Sequence, residues 1–559
     1  MDRRAGTTQL VVASLLLVAS VGAIVALPAH PPGESPEEPE RATLQTYDDP
    51  ELDPQVVVTA DLRPGASLPA NLRARNDVHV TVSGDERRLQ ATIPLSEVRT
   101  LSDTEGVTGV RIDTSGVTAD DDTVSPGVTV IGADRLHERG ITGENVTVGV
   151  VDAGFHLSHP SIADQVGAYR AVGEPGDPAH GTAVADVVSD TAPDARLHLV
   201  AVGPTTTPGE YREAVEWLRA SGADVVVDAG SYLGADSSAG VAAVAENAAD
   251  EIAFVTSAGN YATRHWTGAH RPGDDRQAAV DRRDGDRDGD ERSRLSGGLP
   301  GSVPQHVAGL VGGVDGDAGV LEWVTVGDDR RNRLGDGPIA GRVTATLSWE
   351  GEGEADYDLY LVRRTAAGEV VWDSATTGTG NRERLSVVVP RGRYAVAVGY
   401  DGGETRESRL ELFSNRRLES ATPAGSLAVP ATVEGVIAVG ALDDGSAAAF
   451  SSRGPTDDGR LGVDVAAPDD SAAGGGTSFA APYVAGTIAL VQSSTPGVGP
   501  RRAGEGVVRS ATDVGTPGPD AATGHGRVNA VAAERTLDTL GLVDTPHPVR
   551  LASLASDDD

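Results

Sequence analysis

Apolar residues along this chain fall into three patterns, and each predicts a different kind of element. Val146–Val151, Leu197–Val202, Asp224–Val227, Ile252–Thr256 and Val436–Val439 are short, nearly uninterrupted apolar runs. Such runs predict strands covered on both faces. Amphipathic stretches alternate with them, Tyr211–Ala220 and Ala239–Ala249 among them, which predicts an α/β unit: a parallel sheet with helices on both faces. Reactive side chains in such a sheet collect beyond the C-terminal ends of the strands.

The second pattern is alternation at period two, in Gly341–Trp349, Asp356–Val362, Arg384–Val389 and Arg393–Tyr400, bounded by Gly, Asp and Asn. It predicts an antiparallel β-sandwich. The third is a cluster of short strands, Val56–Thr59, Val78–Val82, Leu89–Pro94 and Val107–Ile112, with helical signals near Leu68–Arg75 and Leu95–Ser102. It predicts a small α+β unit. More than a hundred residues separate Asn260 from the strand at Val436, far more than a connecting loop needs, so the sandwich reads as an insertion.

These patterns divide the chain. Residues 1–29 carry Arg3 and Arg4 ahead of an apolar stretch, 10–27, followed by Pro28, and read as an export signal or an uncleaved membrane tether. Residues 30–52 are an acidic Pro/Glu-rich linker and 53–115 the small α+β unit. Residues 126–265 and 421–538 are the two parts of the α/β unit, 266–420 the insert and 539–559 a loose acidic tail.

Charge and composition narrow the function. The chain has 559 residues and no cysteine, so no disulfide supports it. Its 83 acidic residues against 46 basic ones leave a net charge of −37. That excess argues against a nucleic-acid binder, since a net negative chain repels phosphates, and it suits a surface that must stay hydrated in concentrated salt. All 46 basic residues are arginine, which together with the acidity suggests a halophilic archaeal source.

Four positions carry candidate chemistry. In Gly476-Thr477-Ser478-Phe479-Ala480-Ala481-Pro482 a glycine-permitted turn runs into a small-residue helix, whose unpaired N–H groups favour developing negative charge near Ser478. A serine hydroxyl needs a base and an orienting group to attack. Asp152 ends the run Val146–Val151, and His180 heads His180-Gly181-Thr182-Ala183-Val184-Ala185. Asn260 closes Phe254–Asn260 with an amide that can donate to an oxyanion. A candidate calcium loop is Asp284-Gly285-Asp286-Arg287-Asp288-Gly289, with Asp284, Asp286 and Asp288 as ligands. Its twelfth position is Leu295, so the usual bidentate Glu is missing.

These blocks, in the order Asp, His, Ser, resemble the subtilisin-like serine proteases. Gly435–Ala441, Ser451–Pro455, Val463–Pro468 and Gly524–Asn529 extend the resemblance over most of 126–265 and 421–535. It implies acyl transfer to Ser478, with His180 as base, Asp152 orienting it, and the Ser478 N–H and Asn260 amide holding the oxyanion. No cofactor is needed for the chemistry, and calcium is an expected structural ion.

The resemblance further implies protein or peptide substrates, a secreted location and a zymogen whose propeptide, 53–115, places its C-terminal tail in the active-site cleft. Cleavage would then fall in Ser115–Ser125. A permanent N-terminal domain is the rival reading.

Substrate backbone would pair with Ala229, Gly230 and Ser231. Asp228 beside them either favours a basic substrate side chain or is a solvated loop acid. The sequence departs from the family where Ala153 replaces the usual hydroxyl residue after the aspartate. An inactive surface adhesion or scaffold protein that binds through the β-insert is the alternative from another class.

Overall fold

The computed structural model describes residues 124–272 and 322–540 apart from short interruptions, together with backbone strands between residues 42 and 112. Residues 1–41, with the apolar stretch 10–27 among them, lie outside the described residues.

At the centre stands a sheet of eight strands. Its order is Ser446–Ala447, Ile437–Asp443, Ala253–Ser257, Val225–Asp228, Thr147–Asp152, Arg196–Ala201 and Val166–Ala171, with Val465–Pro468 also on Ile437–Asp443. Every pairing is parallel except the Ser446–Ala447 hairpin. The five predicted apolar runs are the five central strands, four of them displaced by one residue and the fifth, Ile437–Asp443, running four residues past its predicted end.

Side-chain alternation splits each run between two layers. Val148, Val150, Leu197, Leu199, Val225 and Val227 face the helices Pro178–Thr191 and Thr477–Ser494. Val151, Val200, Val226 and Phe254 face Pro208–Ala220 and Ala235–Ala249. Each fully buried Val or Leu contributes roughly 1.5–3 kcal/mol of transfer free energy, and the polar side chains buried within these strands are paired: Thr256 Oγ1 donates to Asp228 O at 3.0 Å and His198 Nδ1 lies 2.9 Å from Ser221 Oγ.

The predicted insert is an antiparallel sheet. Its long strands Asn332–Thr365 and Arg382–Ser414 pair throughout, with Gly368–Ala375, Glu322–Val324 and His265–His270 added along their edges. Trp266, Leu347, Trp349, Tyr357, Leu359, Val396, Val398 and Leu412 form its core. The edge strand His265–His270 belongs to this sheet, so the insert begins at the last residue assigned to the first α/β part.

The small N-terminal unit forms a four-stranded antiparallel sheet, in the order Val78–Ser83, Glu86–Pro94, Gln55–Leu62 and Val107–Ile112. The helical signals at 68–75 and 95–102 lie outside the described residues.

A short strand occupies part of the expected linker. Ala42–Leu44 runs antiparallel between Thr205–Thr206 and Tyr232–Leu233, with Thr43 opposite both Thr205 and Leu233.

Candidate active site

Asp152 is the last residue of a central strand and 2% exposed. The Ala153 backbone N–H donates to its Oδ1 at 2.7 Å, so a main-chain donor serves the carboxylate where the side-chain hydroxyl is missing. Its Oδ2 lies 2.9 Å from His180 Nδ1, and His180 Nε2 lies 2.9 Å from Ser478 Oγ. Three side chains, two of them 298 positions apart in the chain, thus form one continuous hydrogen-bonded line. His180 sits in the first turn of the helix Pro178–Thr191. A Cβ on the next residue, Gly181, would meet Gly154 O at 2.3 Å and Asp152 Cβ at 2.9 Å. Only glycine lets the imidazole approach the carboxylate this closely.

Ser478 opens the helix Thr477–Ser494 and is 7% exposed. Its N–H belongs to the first turn, where no helical carbonyl is available to pair with it. Asn260 Oδ1 accepts from Thr477 N at 3.1 Å and from Thr477 Oγ1 at 3.0 Å. The same hydroxyl accepts from Gly259 N at 3.1 Å. With its oxygen so engaged, the Asn260 amide turns its nitrogen toward the serine. A Cβ placed on Gly476 would lie 3.4 Å from Ser478 Oγ and 3.5 Å from Asn260 Nδ2, so both atoms border one small space. Thr477 is a site residue that the sequence pattern alone did not single out. Its place between Gly476 and Ser478 was the available signal, because a hydroxyl there can brace a neighbouring loop.

The two other histidines near Asp152 in sequence stay out of the line: His159 Nδ1 bonds Ser161 Oγ at 2.8 Å, and His156 is exposed. Ala229, Gly230 and Ser231 are all buried. The carbonyls of Ala229 and Gly230 accept from Ser257 Oγ at 3.3 Å, and Gly230 N donates to Asp228 Oδ1 at 2.8 Å. The edge that carries a partner strand is Tyr232–Leu233, just beyond them. Beside that edge opens a cavity of about 600 Å³, bounded by Leu427 and Ala428 and by Trp349 and Phe413 of the insert.

Asp228 is neither a solvated loop acid nor positioned to meet a substrate side chain. It is 0% exposed, and Tyr211 donates its hydroxyl proton to Oδ2 at 2.6 Å. Burial pushes its carboxyl up to about 6, against the pull of the Tyr211 and Gly230 donors and with a further push from Asp152. The expectation failed because the Tyr211 hydroxyl that permits burial comes from a separate helix. The strand between the two edges, Ala42–Leu44, precedes the small N-terminal unit; the tail expected there, residues 113–123, lies outside the described residues. Asp284, Asp286 and Asp288 also lie outside them. Among the described residues no group of three or more His, Asp or Glu is arranged to hold a metal ion.

The model of the subtilase family matches residues 143–327 and 380–526, and the chain belongs to that family. The break between the two matches falls inside the antiparallel insert. Subtilisin E of Bacillus subtilis (strain 168) is 33% identical over 116 residues, 18% of this chain and 30% of that protein. Subtilisin DY of Bacillus licheniformis is 32% identical over 154 residues, 25% of this chain and 56% of that protein. The halolysin-like extracellular serine protease Nep of Natrialba magadii is 33% identical over 123 residues, 20% of this chain and 21% of that protein. The chain therefore spans about a third of the length of the first of these relatives and about half of the second. A lanthipeptide protease structure covers 75% of this chain and 97% of its own at 15% identity, with a TM-score of 0.40.

Proposed function

We propose that this chain is a serine endopeptidase that hydrolyses protein or peptide substrates through an acyl-enzyme on Ser478. The observation that carries the reading is the unbroken line Asp152, His180, Ser478, with the Asn260 amide facing the same space. In this reading Ser478 Oγ attacks the scissile carbonyl as its proton passes to His180 Nε2. His180 then protonates the leaving amine, and water repeats the sequence to release the acid. Asp152 holds the Nδ1–H tautomer and stabilises the imidazolium. The Ser478 N–H and Asn260 Nδ2 stabilise the oxyanion, each donor contributing about 3 kcal/mol in sites of this type.

The same reading covers maturation and location. The cleft takes an extended peptide as the middle strand of a small antiparallel sheet, a mode in which main-chain hydrogen bonds supply affinity and side-chain pockets supply selectivity. The chain's own residues 42–44 occupy this position, which supports a zymogen held off by its N-terminal region and activated by cleavage in Ser115–Ser125. Export through residues 1–29 supports a secreted, salt-adapted enzyme, in keeping with the acidic surface. Calcium at Asp284, Asp286 and Asp288 is proposed as a structural ion.

Peptide hydrolysis by the refolded wild type and its Ser478→Ala variant in high salt tests the reading. The variant is expected to lose more than about 10⁴-fold in kcat and to retain its full N-terminal region. Equal turnover by both proteins would refute it, as would an inert wild type, the outcome expected of an adhesion or scaffold protein.

A further inference from the structure

Two edges hold the strand Ala42–Leu44, and one buried carboxyl lies behind both of them. The first edge, Thr205–Thr206, continues without a break into the helix Pro208–Ala220. Thr207 fixes that junction with a reciprocal cap: its Oγ1 accepts from Glu210 N at 3.2 Å and its own N–H donates to Glu210 Oε2 at 2.8 Å. One turn further on, Tyr211 points its hydroxyl at Asp228 Oδ2. The second edge, Tyr232–Leu233, follows Gly230, whose N–H donates to Asp228 Oδ1. The Tyr211 and Tyr232 rings then meet edge-on, with centroids 5.0 Å apart.

Building on the peptidase reading above, we propose that Asp228 is a positioning residue that fixes the spacing of the two edges and so sets how tightly an extended peptide is held. It touches neither substrate nor the reacting atoms. One oxygen holds the helix that carries the first edge, and the other holds the turn that delivers the second. A small substrate that reaches only Ser478 and the oxyanion donors does not depend on this spacing. A peptide long enough to pair with both edges does.

Ionised, Asp228 accepts two charge-assisted hydrogen bonds; protonated, it must present a hydroxyl to one of the two donors and loses part of its hold. The titratable groups facing it are Asp152 on the neighbouring strand, Tyr211 on the helix and Tyr232 on the second edge. With its carboxyl raised to about 6 by burial, the hold weakens as pH falls through that value.

The test is steady-state kinetics of the mature enzyme on a peptide of six or more residues and on a small single-residue ester. Asp228→Ala is expected to raise the peptide KM about tenfold while changing kcat and ester hydrolysis less than twofold. Asp228→Asn, which stands in for the protonated carboxyl by keeping one accepting oxygen and turning an NH2 toward the other donor, is expected to give a KM between those of wild type and Asp228→Ala, without the rise of KM below pH 6. Tyr211→Phe, which keeps the buried ring, reports on the first edge if Asp228→Ala does not fold, and is expected to raise KM at least threefold. Equal losses on ester and peptide, or an unchanged peptide KM in both Asp228→Ala and Tyr211→Phe, would overturn the proposal. Failure of the wild type to hydrolyse either substrate would instead remove the peptidase reading on which it rests.

Discussion

Asp152, His180, Asn260 and Ser478 were legible because each follows or precedes an apolar or small-residue run that fixes its place at a strand end or helix start. Asp228 also ends such a run, yet its role was not legible. Three aspartates, the buried Asp228 and the partly buried Asp464 and Asp469, have carboxyls pushed up to about 6, mainly by loss of hydration. Asp464 Oδ2 accepts from Ala438 N at 2.8 Å and so braces the neighbouring strand. An acid whose folded pKa lies above its unfolded value near 4 binds its proton more tightly in the folded state. Stability from this source is therefore complete below pH 4 and is lost as pH rises through about 6. For Asp228, fully withdrawn from water, a rise from near 4 to about 6 corresponds to about 3 kcal/mol. Denaturant unfolding of wild type and the Asp228→Asn, Asp464→Asn double variant across pH 4–8 is expected to show their stability difference changing by a few kcal/mol, and a flat difference would exclude this linkage.

At the level of elements, the parallel strands were legible from their continuous apolar runs, and so were the helices that cover them. The edge strand Val166–Ala171 was not, because its half-exposed alternation leaves only a weak apolar signal. Ala42–Leu44 was hidden for a different reason. Three residues in an acidic, proline-rich stretch are too short a run to carry a strand signal, even with a β-branched Thr43 at the centre; their extended form is supplied by the two edges beside them. Thr43 pairs on both sides, so Thr43→Pro removes a backbone donor from the centre of the strand. In the Ser478→Ala background, this variant is expected to bind a peptidic probe about tenfold more tightly than its parent in fluorescence titration. Identical affinities would mean that residues 42–44 do not compete for the cleft.

For the whole molecule, the net charge of −37 is spread over a chain without cysteine, so stability rests on packing and on how carboxylates are screened. The described ion pairs are mostly exposed, Arg333–Glu419 and Arg417–Asp336 among them, and contribute at most about 1 kcal/mol each. Lowering salt from molar to about 0.1 M lengthens the screening distance from about 3 Å to about 10 Å. Thermal unfolding of the Ser478→Ala protein is expected to shift down by ten degrees or more over that range. A Tm independent of salt would contradict the salt-adapted reading. The salt-adapted reading rests on composition, whereas the cavity between the second edge and the insert was not legible in the sequence, because its walls come from segments near Tyr232, Trp349 and Leu427.

The hydrogen-bonded line from Asp152 through His180 to Ser478 is tested by labelling the folded protein with a fluorophosphonate and locating the adduct by peptide mass spectrometry. One phosphonyl group on Ser478, absent after His180→Ala and after unfolding, is the expected result. Labelling spread over other serines, or Ser478 labelled equally well without His180, would show that the arrangement does not activate the hydroxyl.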